Sequence, residues 1–138
     1  MKRIPMSKLA YPGDGLYYLD DEPFTGFVLL GSEHGQDRGY SEYRHGLCWG
    51  ETRETYPEGT PVLEATYFKG VFHGRAREWH RNGRLAEDGE YEYGIALWKK
   101  TWDEDGVIEE DYRLEQGDQD YQDLLYARSL YEQDSTSF

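Results

Sequence analysis

The sequence predicts a mainly β fold: an elongated antiparallel sheet of stacked β-hairpins, with repeats of about 24 residues and a C-terminal capping α-helix. Three observations support this fold class. Tyrosine and glycine recur at one fixed period, 16% of the residues are aromatic, and the period gives way to a helical pattern after residue 111. At 138 residues the chain is long enough for one domain.

The repeat appears in four columns of residues that share one spacing. These columns are Tyr43, Tyr67 and Tyr91; Gly46, Gly70 and Gly94; Gly26, Gly50 and Gly74; and Gly35, Gly59 and Gly83. Glycine adopts positive φ without steric cost, so the glycine columns predict turns, and Asn82-Gly83 is a strong hairpin signal. Each unit is therefore expected to contain two strands and two turns, with strands at residues 63–69, 75–80 and 85–93.

Aromatic rings supply much of the apolar surface, since the chain has 13 Tyr and 4 Trp but a mean hydropathy of -0.94. One hairpin cannot bury its own face, so several units must stack. We expect the rings of Tyr56, Trp79 and Trp102 to form a ladder along the sheet.

A helix is predicted at about residues 118–133, with Asp118 as N-cap. One stripe of this helix, at helical spacing, contains Tyr121, Leu124, Leu125, Arg128 and Tyr131. A repeat array needs its last edge covered, and this helix is the expected cap. The chain then divides into an extended lead-in (1–14), a repeat array (15–111), a capping helix region (112–134) and a frayed tail (135–138).

The repeat motif consists of Tyr67, Gly70, Gly74, Trp79, Asn82, Gly83 and Leu85. It resembles the MORN-like repeat, and more closely the repeats of the YwqK-like antitoxin family, over about residues 17–111. The resemblance implies a bacterial antitoxin or immunity protein that neutralises a cognate toxin by binding it. The motif residues form turns and pack, so the resemblance implies no catalytic or binding residue.

Acidic residues dominate the charge, which is -13 for the whole chain. Residues 103–138 hold 12 acidic and two basic residues, a net charge of -10. Such a surface attracts a basic protein and repels nucleic acid and anionic membranes. The alternative is that these acids only keep a tyrosine-rich protein in solution.

Large rings beside acidic residues are typical of a protein interface, and they give the candidate partner-binding set. It contains Trp98, Trp102, Tyr93, Asp103, Glu104, Asp105, Glu109, Glu110 and Asp111. Trp98 and Trp102 are expected to be exposed, because the repeat departs from its pattern there. The alternative is that the rings form the core of a small sheet.

Catalytic motifs, cofactor loops and metal-ligand spacings were not found, so no enzyme activity, cofactor or metal is predicted. His45 and Cys48 are separated by an odd number of positions, which places them on opposite faces of one strand. The lone Cys48 and the lack of a long apolar segment favour a cytoplasmic protein, and the family resemblance implies a bacterial one. A scaffold or self-assembling homo-oligomer remains the alternative function, because open sheet edges invite pairing.

Overall fold

The computed structural model describes residues 1–31 and 38–135 and confirms a mainly β chain with one C-terminal helix. Its elements are β1 (Arg3–Pro5), a short 3-10 helix (Met6–Lys8), β2 (Tyr18–Leu19), β3 (Glu22–Pro23), β4 (Gly26–Leu30), β5 (Gly39–Arg44), β6 (Leu47–Thr55), β7 (Pro61–Phe68), β8 (Val71–Trp79), β9 (Leu85–Glu92), β10 (Ile95–Trp102), β11 (Ile108–Arg113) and α1 (Gln119–Ser135).

Nine of these strands form one sheet in the order β1-β4-β5-β6-β7-β8-β9-β10-β11. From β4 to β11 each strand pairs antiparallel with the next, as expected of stacked hairpins. The lead-in adds β1 in parallel beside β4, and β2 and β3 form a separate small hairpin. The strands predicted at 63–69, 75–80 and 85–93 correspond to β7, β8 and β9.

Two kinds of turn alternate along the array. His45-Gly46, Lys69-Gly70 and Tyr93-Gly94 are two-residue turns in which both residues have positive φ. This is the geometry of a type I′ hairpin. Asn82-Gly83 also closes a hairpin, but Gly83 alone has positive φ, and its amide donates to the His80 carbonyl. That hairpin is the longer type, with a glycine bulge.

The glycine column of Gly26, Gly50 and Gly74 does not mark turns, contrary to the sequence prediction. Gly50 and Gly74 lie inside β6 and β8, directly opposite Tyr67 and Tyr91 of the following strand. Both keep positive φ, at 106° and 114°, where the pairing register of these strands shifts. β8 therefore begins at Val71 rather than at residue 75. Gly35, which belongs to the column of Gly59 and Gly83, lies outside the described residues.

The two faces of the sheet differ in chemistry. On the first, named here the aromatic face, a row of small residues crosses five neighbouring strands in register: Ser41, Thr52, Ala65, Ala76 and Gly89. All five are buried. Rings on the same face fold over this row, since a Cβ added at Gly89 would lie 3.0 Å from the Tyr91 ring.

The opposite side, named here the charged face, carries a ladder of alternating charges across six strands. In register, the ladder is Arg53 of β6, Glu64 of β7, Arg77 of β8, Asp88 of β9, Lys100 of β10 and Asp111 of β11. Each interior member has an opposite charge on both sides, and opposite charges facing each other across strands are stabilising. The ladder helps explain how a single-layer sheet remains stable with a solvated face.

Each face is covered at a different place. The segment before β4 packs on the aromatic face, where Phe24, Val28 and Tyr43 form a buried cluster joined by Ile4, Leu9, Tyr17, Leu19 and Cys48. Helix α1 packs on the charged face at the type I′ turns. There Tyr131 lies against the rings of Phe68 and Tyr93, at centroid distances of 5.2 and 5.1 Å.

Helix α1 covers this part of the charged face rather than the last edge of the sheet. Five of the six β11 residues remain exposed. Within the predicted helical stripe Leu124 is buried, but Leu125 is 41% exposed. Asp118 precedes the helix as expected, but its carboxylate accepts a hydrogen bond from the Glu115 amide behind it.

The expected ring ladder of Tyr56, Trp79 and Trp102 is wrong. No ring contact is found among these three described residues. Instead, Tyr56 donates its hydroxyl hydrogen bond to the Trp79 carbonyl oxygen at 3.1 Å. One unit later, the His80 ring nitrogen lies 2.8 Å from the Trp102 carbonyl oxygen. These contacts repeat because Tyr56 and His80 occupy the same place in successive units.

Candidate partner-binding surface

The half of the aromatic face formed by β7 to β11 carries a continuous group of rings. Tyr67 and Phe72 lie 5.0 Å apart, and Phe72 and Tyr91 lie a further 5.0 Å apart. The N-terminal segment covers the other half of this face through Tyr17, which meets Tyr43 edge to face at 5.7 Å. The three rings of the β7 to β11 half remain half-buried, so they offer apolar area to a partner.

Carboxylates lie beside these rings on the same face. Glu78 of β8 and Glu87 of β9 are directly opposite each other, and Glu110 of β11 follows in the same row. Lys99 is the basic residue that reaches this group, with Nζ 3.2 Å from Glu110 Oε1. Three acids against one base make this open half of the aromatic face acidic.

Glu87 is the half-buried acid of this group. Burial, followed by repulsion from Glu78, raises the pKa of its carboxyl above the ordinary value, and Lys99 opposes the shift only in part. Burial also raises the pKa of Tyr91, and the charge of Glu87 adds to this effect. A cationic side chain from a partner would offset the penalty on the charged form of Glu87.

Most charges on the charged face lie beside an opposite charge, unlike those on the aromatic face. Arg75 of β8 pairs with Asp88 of β9 through two hydrogen bonds of 2.6 and 2.7 Å. The same guanidinium lies 5.1 Å from the centroid of the Trp98 ring. The charged face is therefore less suited than the aromatic face to attracting a basic protein.

The residues predicted from the sequence do not form one site. Trp98 is half-buried under Arg75 on the charged face, so the expected exposure of this ring is wrong. Trp102, at the far end of β10, is also half-buried. Tyr93 lies beyond the opposite end of β10, in a type I′ turn, where it stacks on Tyr131 of α1.

The acidic turn after β10 has a structural role of its own. The Asp103 carboxylate accepts hydrogen bonds from the amides of Asp105 and Val107, both at 2.9 Å. Glu104 and Asp105 are exposed at the tip of this turn. Their carbonyl oxygens accept hydrogen bonds from the Asn82 and Arg84 side chains, at 2.8 and 2.6 Å.

The three β11 acids are exposed and sit at the edge of the sheet. Glu110 points to the aromatic face and pairs with Lys99, whereas Asp111 ends the charge ladder opposite Lys100. Glu109 lies where the pairing register with β10 shifts. The structure thus places Glu110 beside the acids of the aromatic face.

Candidate reactive groups are engaged in the fold. Burial raises the pKa of the Cys48 thiol, and its sulfur lies 3.6 Å from the Thr52 hydroxyl. His73 Nδ1 accepts a hydrogen bond from the Tyr93 amide at 3.0 Å. Among the side chains described within residues 1–31 and 38–132, no three His, Cys, Asp or Glu residues are grouped so that they could hold a metal ion.

The sequence interpretation missed Glu78, Glu87 and Lys99. The repeat carries part of the signal, because Glu54 and Glu78 are 24 residues apart. These positions share a face with the tyrosine column. The period does not show Glu87 as part of an acidic row, because Leu63 stands 24 residues before it.

Comparison of the chain with models of protein families, with curated proteins and with solved structures gave no match. In the part of the chain that is described, no helix is long and apolar enough to span a membrane.

Proposed function

We propose that this chain is an antitoxin or immunity-type protein of the bacterial cytoplasm, which neutralises a basic toxin by binding it on the open half of the aromatic face. The observation that carries the proposal is the row of Glu78, Glu87 and Glu110 beside the rings of Tyr67, Phe72 and Tyr91. Rings supply contact area, and the excess of acids over bases steers and orients a basic partner. The MORN-like character of the repeat agrees with this proposal.

Capture of the partner is the first test. The protein serves as bait in a lysate of its own host, with the product of the neighbouring gene included, at low and high salt. We expect one basic, toxin-like protein that is released by salt, because exposed charge interactions are screened. Capture of the bait alone at both salt concentrations would contradict the proposal.

Two double variants then test the surface. Glu78→Lys with Glu110→Lys reverses two exposed acids of the aromatic face, whereas Glu104→Lys with Asp105→Lys reverses two exposed acids of the turn. Both pairs change the net charge equally. We expect the first pair to weaken partner binding about tenfold or more and to abolish rescue from the toxin, with a much smaller effect of the second. Equal effects would show that overall charge alone is involved.

A scaffold or self-assembling module is the second candidate, favoured by the exposed β11 edge. Light scattering over a range of protein concentrations distinguishes the two functions. Growth of the particle mass with concentration supports assembly, and a constant monomer mass contradicts it.

A further inference from the structure

Strand β11 is the first half of a repeat unit whose second half is missing. After β5, β7 and β9 the chain reverses through a type I′ turn into another strand. Gln116-Gly117 stands at the same place after β11, and the Asp118 amide donates to the Glu115 carbonyl oxygen. Neither central residue has positive φ, so the chain does not form the hairpin and enters α1.

The outer edge of β11 therefore has no neighbouring strand among the described residues. The Leu114 amide donates inward to the Leu97 carbonyl oxygen at 2.9 Å. Because backbone groups alternate in direction along a strand, the N–H and C=O groups of Asp111 and Arg113 point outward. The edge thus presents backbone donors and acceptors to solvent.

The charge ladder indicates which kind of strand fits this edge. Glu64 lies between Arg53 and Arg77. Asp88 likewise lies between Arg77 and Lys100. Asp111, the last acid of the ladder, has a basic residue on one side only. A strand that continues the repeat would bring a Lys or Arg to its other side.

We propose that the outer edge of β11 binds an extended basic segment of the partner protein as a further antiparallel strand, with a Lys or Arg opposite Asp111. Main-chain hydrogen bonds then supply affinity, and the acids of β11 select the segment. The inference rests on the proposed function for the nature of the partner, a basic protein. A second copy of this chain fits less well, because two molecules with a net charge of -13 repel each other.

A peptide taken from the chain itself provides the probe. β8 pairs with β7, the counterpart of β11, and places Arg77 opposite Glu64 and Glu78 opposite Leu63. A synthetic peptide of residues 71–79 with Glu78→Lys therefore presents Arg77 to Asp111 and the introduced lysine to Glu110. Its matched control keeps Glu78 and carries Arg77→Glu. We expect the control to bind the full-length protein at least about tenfold more weakly.

Two N-methylated peptides distinguish strand addition from simple charge attraction. Both have the basic sequence and the same charge, but one is methylated on the amides of residues 74, 76 and 78 and the other on those of 75 and 77. In a strand, one set faces β11 and the other faces solvent. We expect the peptide methylated at residues 75 and 77 to lose binding, because Arg77 lies opposite Asp111, whose backbone groups point outward. The other peptide should keep binding. Equal binding by both would overturn the inference, as would equal loss.

Light scattering without peptide tests the second copy as occupant. A monomer at all concentrations, together with peptide binding, supports the proposal, whereas a dimer that the peptide does not dissociate overturns it. The outcome is separable from the proposed function. If no peptide binds while a basic partner is still captured and depends on Glu78, the edge inference fails and the proposed function stands. If one methylated peptide binds but no basic partner is found, the proposed function fails.

Discussion

The ring of Tyr131 joins helix α1 to the sheet through three contacts. It meets Phe68 edge to face, stacks on Tyr93 with an interplanar angle of 22°, and lies 5.1 Å from the ammonium of Lys69. Tyr131→Ala removes all three contacts. Tyr126→Ala makes the same chemical change on the same helix, but the Tyr126 side chain is 66% exposed.

The expected difference between these variants follows from the contacts. Two aromatic pairs contribute about 0.5–1.5 kcal/mol each, and an exposed cation–π contact contributes about 0.5–1 kcal/mol. Tyr131→Ala should therefore lower the free energy of unfolding by about 1.5–4 kcal/mol. The gain in helix propensity on replacing Tyr by Ala is common to both variants and cancels in the comparison. Tyr126→Ala should cost about 0.5 kcal/mol or less.

Urea unfolding followed by far-UV circular dichroism measures the free energy of unfolding of each variant. Hydrogen exchange of the helix amides detects undocking that leaves the sheet folded. We expect faster exchange throughout α1 for Tyr131→Ala only. Equal free energies together with equal exchange in both variants would refute the packing argument, because the exposed and docked rings would then contribute alike.

Three further predictions concern the sheet. Gly39→Ala would drive its side chain into a backbone carbonyl of β6 and should lower the free energy of unfolding in urea by about 2–4 kcal/mol. The control Gly59→Ala has nothing within 4 Å of the added carbon, so it should lower this free energy only by the strain of positive φ, about 1 kcal/mol. The Arg128 hydrogen bond lowers the pKa of Glu92, so this pair stabilises the fold above the ordinary carboxyl pKa and is lost as pH falls through the lowered value. Arg128→Gln should therefore cost about 1 kcal/mol at pH 7, and the cost should shrink as pH falls through the lowered pKa of Glu92, which urea unfolding at a series of pH values measures. Burial raises the pKa of Glu87, so its charged form destabilises the fold as pH rises from 4.5 through the raised value, and Glu87→Gln should raise the melting temperature at pH 7 but not at pH 4.

The architecture of the repeat was readable from the sequence because its turns require glycine. His45-Gly46, Lys69-Gly70 and Tyr93-Gly94 need positive φ at both residues, and this local constraint repeats with the period of the strands. Such a constraint does not depend on the rest of the fold. The number and order of the hairpins could therefore be predicted without any tertiary information.

Assignment of side chains to faces was harder to predict. Gly74 has the sequence signature of a turn but lies within β8, where the residues between Phe72 and Ala76 oppose only Thr66 of β7. Alternation of faces cannot be read across such an irregularity unless its size is known. The charge ladder shows that the information was partly present, because Arg53 and Arg77 share one column.

The position of α1 could not be predicted from the repeat at all. A helical stripe predicts that one side of the helix is buried, but it does not say against what. Here the decisive contacts connect Tyr131 with Phe68, 63 residues earlier, and Arg128 with Glu92, 36 residues earlier. The sequence interpretation placed the helix over the last edge, but in the described part of the chain no strand pairs with that edge and five of the six β11 residues are exposed.

The open edge has a consequence for selectivity. Unprotected edge strands promote aggregation, and charged side chains are one means by which natural sheets prevent it. β11 carries Glu109, Glu110 and Asp111 in succession, so a strand with acids at the facing positions is repelled. The same acids attract a strand with basic residues at those positions. An edge protected in this way repels strands with acidic residues at the facing positions and admits strands with basic residues there. The protection of the edge and its recognition of a partner therefore depend on the same side chains.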